Sequence, residues 1–163
     1  MPYYFSTASQ QNTNSSANTD LLLAQWWTTA TTGRAFIQKA VFGSYATPAD
    51  NAIRLRITRA TTATTIVAGS SITPVGYQAE LTSPTVINAQ TLPTFTGSIT
   101  DVPLVQVAFN QRGTAMWAAF VPDEGIGITG AGTSTTKSTA NVFLMSQSTG
   151  TSVPVNFDVL SSE

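Results

Sequence analysis

The side chains that usually perform acid–base or nucleophilic chemistry are scarce in this sequence. It contains no histidine and no cysteine, which excludes Ser-His-Asp and Cys-His triads and metal sites built on those two ligands. Two carboxylates are adjacent, Asp123 and Glu124, but they lie in a Pro-Gly turn, and neighbouring strand residues point to opposite faces. We therefore predict no catalytic residue, no metal ligand and no cofactor, in a protein that is not an enzyme.

The charge content narrows the classes of partner. Only 9% of the residues are charged, compared with about 25% in an average globular domain, and the net charge is −1. A nucleic-acid-binding domain would carry a basic patch, and a peripheral membrane protein a basic amphipathic helix, so we predict neither partner. The chain instead contains 28 Thr and 16 Ser residues, and a surface built from their hydroxyl groups permits dense packing against other protein copies.

The spacing of apolar residues predicts an all-β fold. In Ile53–Thr58, Ile53, Leu55 and Ile57 alternate with polar residues, and Val153 to Val159 follow the same period of two. No segment shows a sustained helical stripe with a cap and a stop. Roughly seven to nine short strands separated by Gly and Pro turns predict a β-sandwich, with a jelly roll as one form of it. Leu104–Phe109 and Ala115–Val121 are predicted to form a hairpin.

The first twenty residues differ in composition from the rest of the chain. Ser6 to Asp20 consists almost entirely of Ser, Thr, Asn, Gln and Ala, which cannot bury enough apolar surface to offset the entropy of ordering. We therefore predict an extended N-terminal arm over residues 1–20, followed by a single β-sandwich domain over residues 21–163. No cleaved leader is apparent at the start of the sequence.

Seven residues are candidates for contact with a protein partner. Trp26 and Trp27 are adjacent, so one is expected in the core and the other, Trp27, on the surface as an aromatic anchor. Arginine favours bidentate contacts with carboxylates at interfaces. The arm begins with three aromatic residues. The candidates are therefore Tyr3, Tyr4, Phe5, Trp27, Arg54, Arg56 and Arg112.

The order of these features resembles a known group of proteins. The polar arm is followed by Phe36–Gly43, the strand Ile53–Arg59, Ser70–Pro74, an Arg-Gly turn before Trp117, and Pro122–Ile126. This order resembles head decoration, or cement, proteins of tailed bacteriophages with a β-sandwich fold.

The resemblance implies a location and a set of partners. Such a protein is made in the host cytoplasm and binds the outer surface of the assembled capsid in the virion. It bridges major capsid protein subunits, often as a homotrimer, and an extended arm often reaches a neighbouring subunit. The resemblance supplies no catalytic residue.

Two other functions remain open from the sequence. The chain could be a carbohydrate- or receptor-binding module, with Trp27, Tyr45 or Tyr77 as a stacking platform for a sugar ring. It could also be a minor tail or neck structural protein of the same kind of virion.

Overall fold

A computed structural model describes most of the chain, and the described residues form fourteen β-strands and no α-helix. The described residues are 2–13, 21–29, 34–44, 47, 50–60, 65–78, 87–91, 93–96, 101–121, 124–129, 142–148 and 152–163. The strands are β1 (Tyr3–Asn12), β2 (Leu21–Thr28), β3 (Arg34–Ser44), β4 (Ala52–Ala60), β5 (Thr65–Val67), β6 (Ser70–Ile72), β7 (Val75–Gly76), β8 (Ile87–Thr91), β9 (Thr94–Thr96), β10 (Asp101–Asn110), β11 (Thr114–Ala118), β12 (Ile126–Thr129), β13 (Val142–Ser148) and β14 (Pro154–Ser162).

The strands form two antiparallel sheets that pack face to face. Sheet A has the order β11-β3-β14-β1-β7, with β12 also paired to β3. Sheet B has the order β10-β4-β13-β2-β8-β6, and β5 and β9 form a separate two-stranded ribbon. This architecture confirms the all-β sandwich. The strands outnumber the prediction because several have only two or three residues, too few to show a period in sequence.

The core lies between the two sheets and is built from the alternating residues that the sequence indicates. Sheet B contributes the buried side chains of Ile53, Leu55 and Ile57 on β4. Sheet A contributes Val155, Phe157 and the other inward residues of β14. Each fully buried aliphatic or phenyl side chain contributes roughly 1.5–3 kcal/mol, so these two strands supply much of the stabilisation.

The β5–β9 ribbon is associated with a second, smaller core on the outer face of sheet B. Ile66 of β5 is buried in a cluster with Leu22, Phe143 and Met145 of sheet B. Beside it, the buried Gln90 side chain donates from Nε2 to Oε1 of Gln25 at 2.7 Å. The outer face of this sheet is therefore not open to solvent along its central strands.

The N-terminal residues belong to the sandwich, which corrects the prediction of an extended arm. Tyr3–Asn12 forms β1, which pairs with β14 on one side and with β7 on the other. Tyr4 and Ser6 point inward and are buried. Backbone pairing with β14 provides the ordering that the polar composition alone does not. Of the remaining arm residues, 14–20 lie outside the described residues.

The segment predicted as a hairpin connects the two sheets instead. β10 pairs with β4 at the edge of sheet B, whereas β11 pairs with β3 at the edge of sheet A. The turn is tight, because Gly113 N donates to the Asn110 carbonyl at 2.8 Å. Residues 110–113 thus reverse the chain as expected, but the two strands enter different layers, where each is an edge strand among the described residues.

A close backbone approach explains one of the predicted turns. β11 and β12 pair one after the other with the same edge of β3, and Glu124 and Gly125 immediately precede β12. A Cβ atom added at Gly125 would lie 2.7 Å from the Ile37 carbonyl oxygen. Glycine is therefore required at this position by space, and the turn places Ile126 at the start of β12.

Thr13 joins the end of β1 to the segment before β14, and we expect this link to stabilise the fold. Its buried hydroxyl donates to Ser148 Oγ at 2.8 Å and accepts from Val153 N at 2.9 Å. Thr13→Val keeps the shape but leaves the Val153 amide without its acceptor. We expect a loss of about 1–3 kcal/mol in the free energy of unfolding, measured by urea titration with tryptophan fluorescence. Thr13→Ser, which retains the hydroxyl, should lose clearly less, and equal stability of Thr13→Val and wild type would contradict this role.

Candidate protein-binding surface

The seven residues predicted to contact a partner do not form one site. Tyr3, Tyr4 and Phe5 lie on β1 of sheet A, Trp27 lies on β2, and the arginines lie on β4 and on the turn between β10 and β11. These positions belong to both sheets and to the loop that joins them. The exposed side chains of the described residues therefore indicate where a partner could bind.

Trp27 is not an exposed anchor, which corrects that prediction. Trp26 is 0% exposed and its ring packs against Phe157, with the ring centroids 5.9 Å apart and the planes at 73°. Trp27 points to the opposite face of β2, yet it is only 8% exposed. Alternation along a strand assigns its outer face to solvent, whereas β2 is buried on both faces. Of the other residues considered for sugar stacking, Tyr77 is exposed, and Tyr45 lies outside the described residues.

The arginines of β4 take part in contacts within the fold. Arg56 forms an ion pair with Asp101 of β10, with Nη1 and Oδ2 3.3 Å apart, and both side chains are largely buried. Arg59 donates from Nη2 to the Gly127 carbonyl of β12, which joins sheet B to sheet A. Arg54 is half-buried on the same face as Arg56. These arginines therefore hold strands together more than they offer charge to a partner.

Arg112 lies at the tip of the turn between β10 and β11. Its Nε donates to Asp50 Oδ1 at 2.9 Å, in an exposed ion pair of the kind that stabilises a protein by about 0–1 kcal/mol. The buried Gln111 beside it donates to the Thr47 carbonyl at 2.7 Å and accepts from Asn51 Nδ2 at 3.0 Å. The turn is fixed chiefly by Gln111, and Arg112 remains accessible.

The aromatic residues of β1 divide between the two sides of the strand. Tyr4 is buried, and that burial together with the nearby Glu163 carboxylate raises the pKa of its phenol above the ordinary value. Phe5 points outward and is half-buried against Tyr77, with ring centroids 5.5 Å apart. Of the aromatic residues predicted for contact, Phe5 and the half-buried Tyr3 thus remain available, and Tyr4 does not.

The outer face of sheet A carries a shallow depression, here called the sheet A face. Its volume is about 380 Å³ and it is wide open. Three neighbouring strands, β1, β14 and β3, contribute two outward side chains each. The six residues are Phe5, Thr7, Lys39, Val41, Asp158 and Leu160. Val75 and Met116, both strongly exposed, extend the apolar surface on opposite sides.

A second apolar surface follows the open side of the sandwich, where β10 and β11 are the edge strands. Because the chain reverses at residues 110–113, the start of β10 and the residues after β11 come to the same end of this side. Large apolar residues are exposed there, and Phe120 is 98% exposed. We call this surface the open-side patch, formed by Val102, Leu104, Phe120 and Val121.

No pattern in the sequence indicates the open-side patch. Phe120 and Val121 continue the apolar run of β11, and an apolar run is normally assigned to the core. Only the separation of β10 and β11 into different sheets reveals that the run extends past the edge of the sandwich. The low charge content could have suggested exposed apolar residues, but not their positions.

Among the described residues, no three Asp, Glu, His or Cys side chains are grouped closely enough to hold a metal ion. In the same part of the chain, no helix is long and apolar enough to cross a membrane. No protein-family model, curated protein or solved structure matches the chain.

Proposed function

We propose that this chain is a non-enzymatic structural protein of a bacteriophage particle, which binds the outer surface of the capsid and bridges major capsid protein subunits. The observation that carries the proposal is the open-side patch, four exposed apolar side chains on β10 and on the residues that follow β11. Monomeric soluble proteins rarely expose large contiguous apolar surfaces, and such surfaces mark sites of protein interaction. The assignment to a capsid rests on the resemblance in sequence order.

The edge strand β10 adds a second means of attachment. Nine of its ten residues pair with β4, and β4 is its one partner strand within the described chain, so the other side offers unpaired backbone N–H and C=O groups. Natural proteins usually protect such edges with lysine, proline or a covering element, or use them to pair with a partner strand. β10 contains Pro103 and a single charged residue, Asp101. This edge therefore suits an apolar, hydrogen-bonding contact with another protein.

The low charge of the chain fits a partner that is itself a protein assembly. An apolar patch beside an edge strand requires a partner with matching apolar surface, whereas nucleic acid or an anionic membrane would require clustered cations. A repeated capsid surface also gives avidity, which raises affinity by roughly 100- to 10,000-fold when several linked copies bind at once. Weak individual contacts through the open-side patch would then be sufficient for stable decoration.

Capsid binding should depend on the open-side patch. We expect Phe120→Ser and Leu104→Ser to reduce co-sedimentation with capsids at least about tenfold, because truncating a central aromatic contact costs roughly 2–4 kcal/mol. The measurement uses capsids assembled from the major capsid protein encoded in the same genome. Both side chains are exposed, so the variants should fold normally by circular dichroism.

The matched control is Gln106→Ser, an exposed polar change on the same strand. It should bind as the wild type does. Failure of the wild-type chain to bind capsids would refute the proposed function, whereas wild-type occupancy by Phe120→Ser would refute the role of the open-side patch alone.

A further inference from the structure

The sheet A face carries two charges of opposite sign with no ion pair inside the described chain. Lys39 on β3 is half-buried, and Asp158 on β14 is exposed. Neither residue takes part in the ion pairs Arg56–Asp101 and Arg112–Asp50, so neither charge on this face is neutralised by those contacts. Because the remaining lining residues are apolar apart from Thr7, these two charges dominate the electrostatics of the depression.

The strand register places the two charges on one diagonal and two apolar residues on the other. Asp158 lies opposite Val41, and Leu160 lies opposite Lys39. The four residues therefore form a rectangle in which Lys39 and Asp158 occupy two diagonal corners, and Val41 and Leu160 occupy the other two. On one face of an antiparallel pair, such diagonal neighbours are roughly 7–8 Å apart.

This rectangle is approximately self-complementary under a two-fold rotation. If the rotation axis lies in the plane of the face along the Val41–Leu160 diagonal, Lys39 of each copy comes over Asp158 of the other. The same operation brings the apolar corner residues against their own counterparts on the axis. A two-fold interface uses the same patch on both subunits, and this face meets that requirement in both charge and apolar character.

We propose that the sheet A face binds a second copy of this chain in a symmetric, face-to-face dimer. The charges select this axis, because rotation about the Lys39–Asp158 diagonal would place each charge against its own kind. Given about 3.3 Å per residue and 4.8 Å between strands, the strands of the two copies would cross at roughly 70°. The inference does not rest on the proposed capsid function and uses a different surface.

The size of the face is adequate for such a dimer. The strands of sheet A cover a planar footprint of roughly 600 Å² at ordinary strand spacing, and side chains raise the accessible area above that value. Small specific interfaces bury about 600–800 Å² on each partner. Val75 and Met116 would widen the apolar contact on the two sides of the depression. The homotrimer implied by the resemblance in sequence order would need a different contact between copies.

Charge reversal with complementation tests the dimer. We expect the wild-type chain to sediment as a dimer in analytical ultracentrifugation, and Lys39→Asp and Asp158→Lys each to raise the dimer dissociation constant at least about tenfold, because each places like charges in contact. Mixing the two variants should restore association, since a heterodimer then pairs two aspartates with two lysines. The double variant should dimerise as the wild type does. Circular dichroism checks that each variant is folded.

Arg112→Ala is the control, because it removes an exposed charge that does not line the depression and should leave the dimer unchanged. A monomeric or trimeric wild-type chain would overturn the inference. So would single variants that dimerise normally, or variants that stay monomeric when mixed. Binding of the monomeric variants to capsids is a separate measurement, so failure of the dimer and failure of the proposed function are distinguishable.

Discussion

Leu55→Asp is expected to abolish folding of the chain. Leu55 is 1% exposed at the centre of β4, and it packs in the main core with Ile53 and Ile57. Removing a buried leucine side chain costs about 2–5 kcal/mol, and an unpaired carboxylate in its place adds a desolvation cost of several kcal/mol. The sum is comparable with the total stability of an ordinary domain, about 5–15 kcal/mol.

The measurement for Leu55→Asp is the far-ultraviolet circular dichroism spectrum together with the soluble yield. The matched control is Gln106→Asp on the neighbouring strand, which adds the same charge at an exposed position and should leave the fold intact. A folded Leu55→Asp protein with stability near that of the wild type would show that β4 does not occupy the core as described.

Deletion of residues 1–12 is expected to destabilise the chain by more than about 5 kcal/mol, because β1 is an inner strand of sheet A. Its loss removes the backbone partner of β14 along most of that strand and removes the buried Tyr4 and Ser6 side chains. It would also leave β14 as an exposed edge, which favours aggregation. An independent arm, in contrast, would be dispensable for folding.

The truncated chain can be tested by urea unfolding and by addition of a synthetic peptide of residues 2–13. The peptide should restore native circular dichroism by supplying β1 in trans, as in strand-complementation complexes. Thr7→Ala, which changes an exposed residue on β1, is the control and should fold normally. Wild-type stability of the truncated chain would support the arm that the composition predicts.

The sequence predicted the strands whose apolar residues alternate and missed features that depend on distant partners. β4 and β14 were identified because Ile53, Leu55 and Ile57 in one, and Val155 and Phe157 in the other, show a clear period of two. β1 was missed because one of its inward residues, Ser6, is polar. The strand therefore lacks the alternation of apolar and polar residues that identifies a strand in sequence. Hydrogen bonding to β14, at the other end of the chain, cannot be read from local composition.

The candidate surfaces were predicted less well than the fold. Phe5 was identified as a contact residue, but its partners on the sheet A face come from three strands whose order was unknown. Trp27 was predicted to be exposed because alternation tells the two faces of a strand apart. Alternation does not tell whether a further layer of the protein covers the outer face. Phe120 was missed because the turn at residues 110–113 signals a reversal and does not indicate the sheet that receives the next strand.

The pairing of β1 with β14 has a consequence for the order of events during synthesis. The first strand of this chain has its main partner in the last, so a nascent chain on the ribosome carries β1 without that partner until translation of β14. Loop closure over such a separation must precede the contacts that compensate its entropy, which makes folding slow. This delay accounts for the abundance of Thr, Ser, Asn and Gln in β1, because a polar strand can stay unpaired in solution without aggregating.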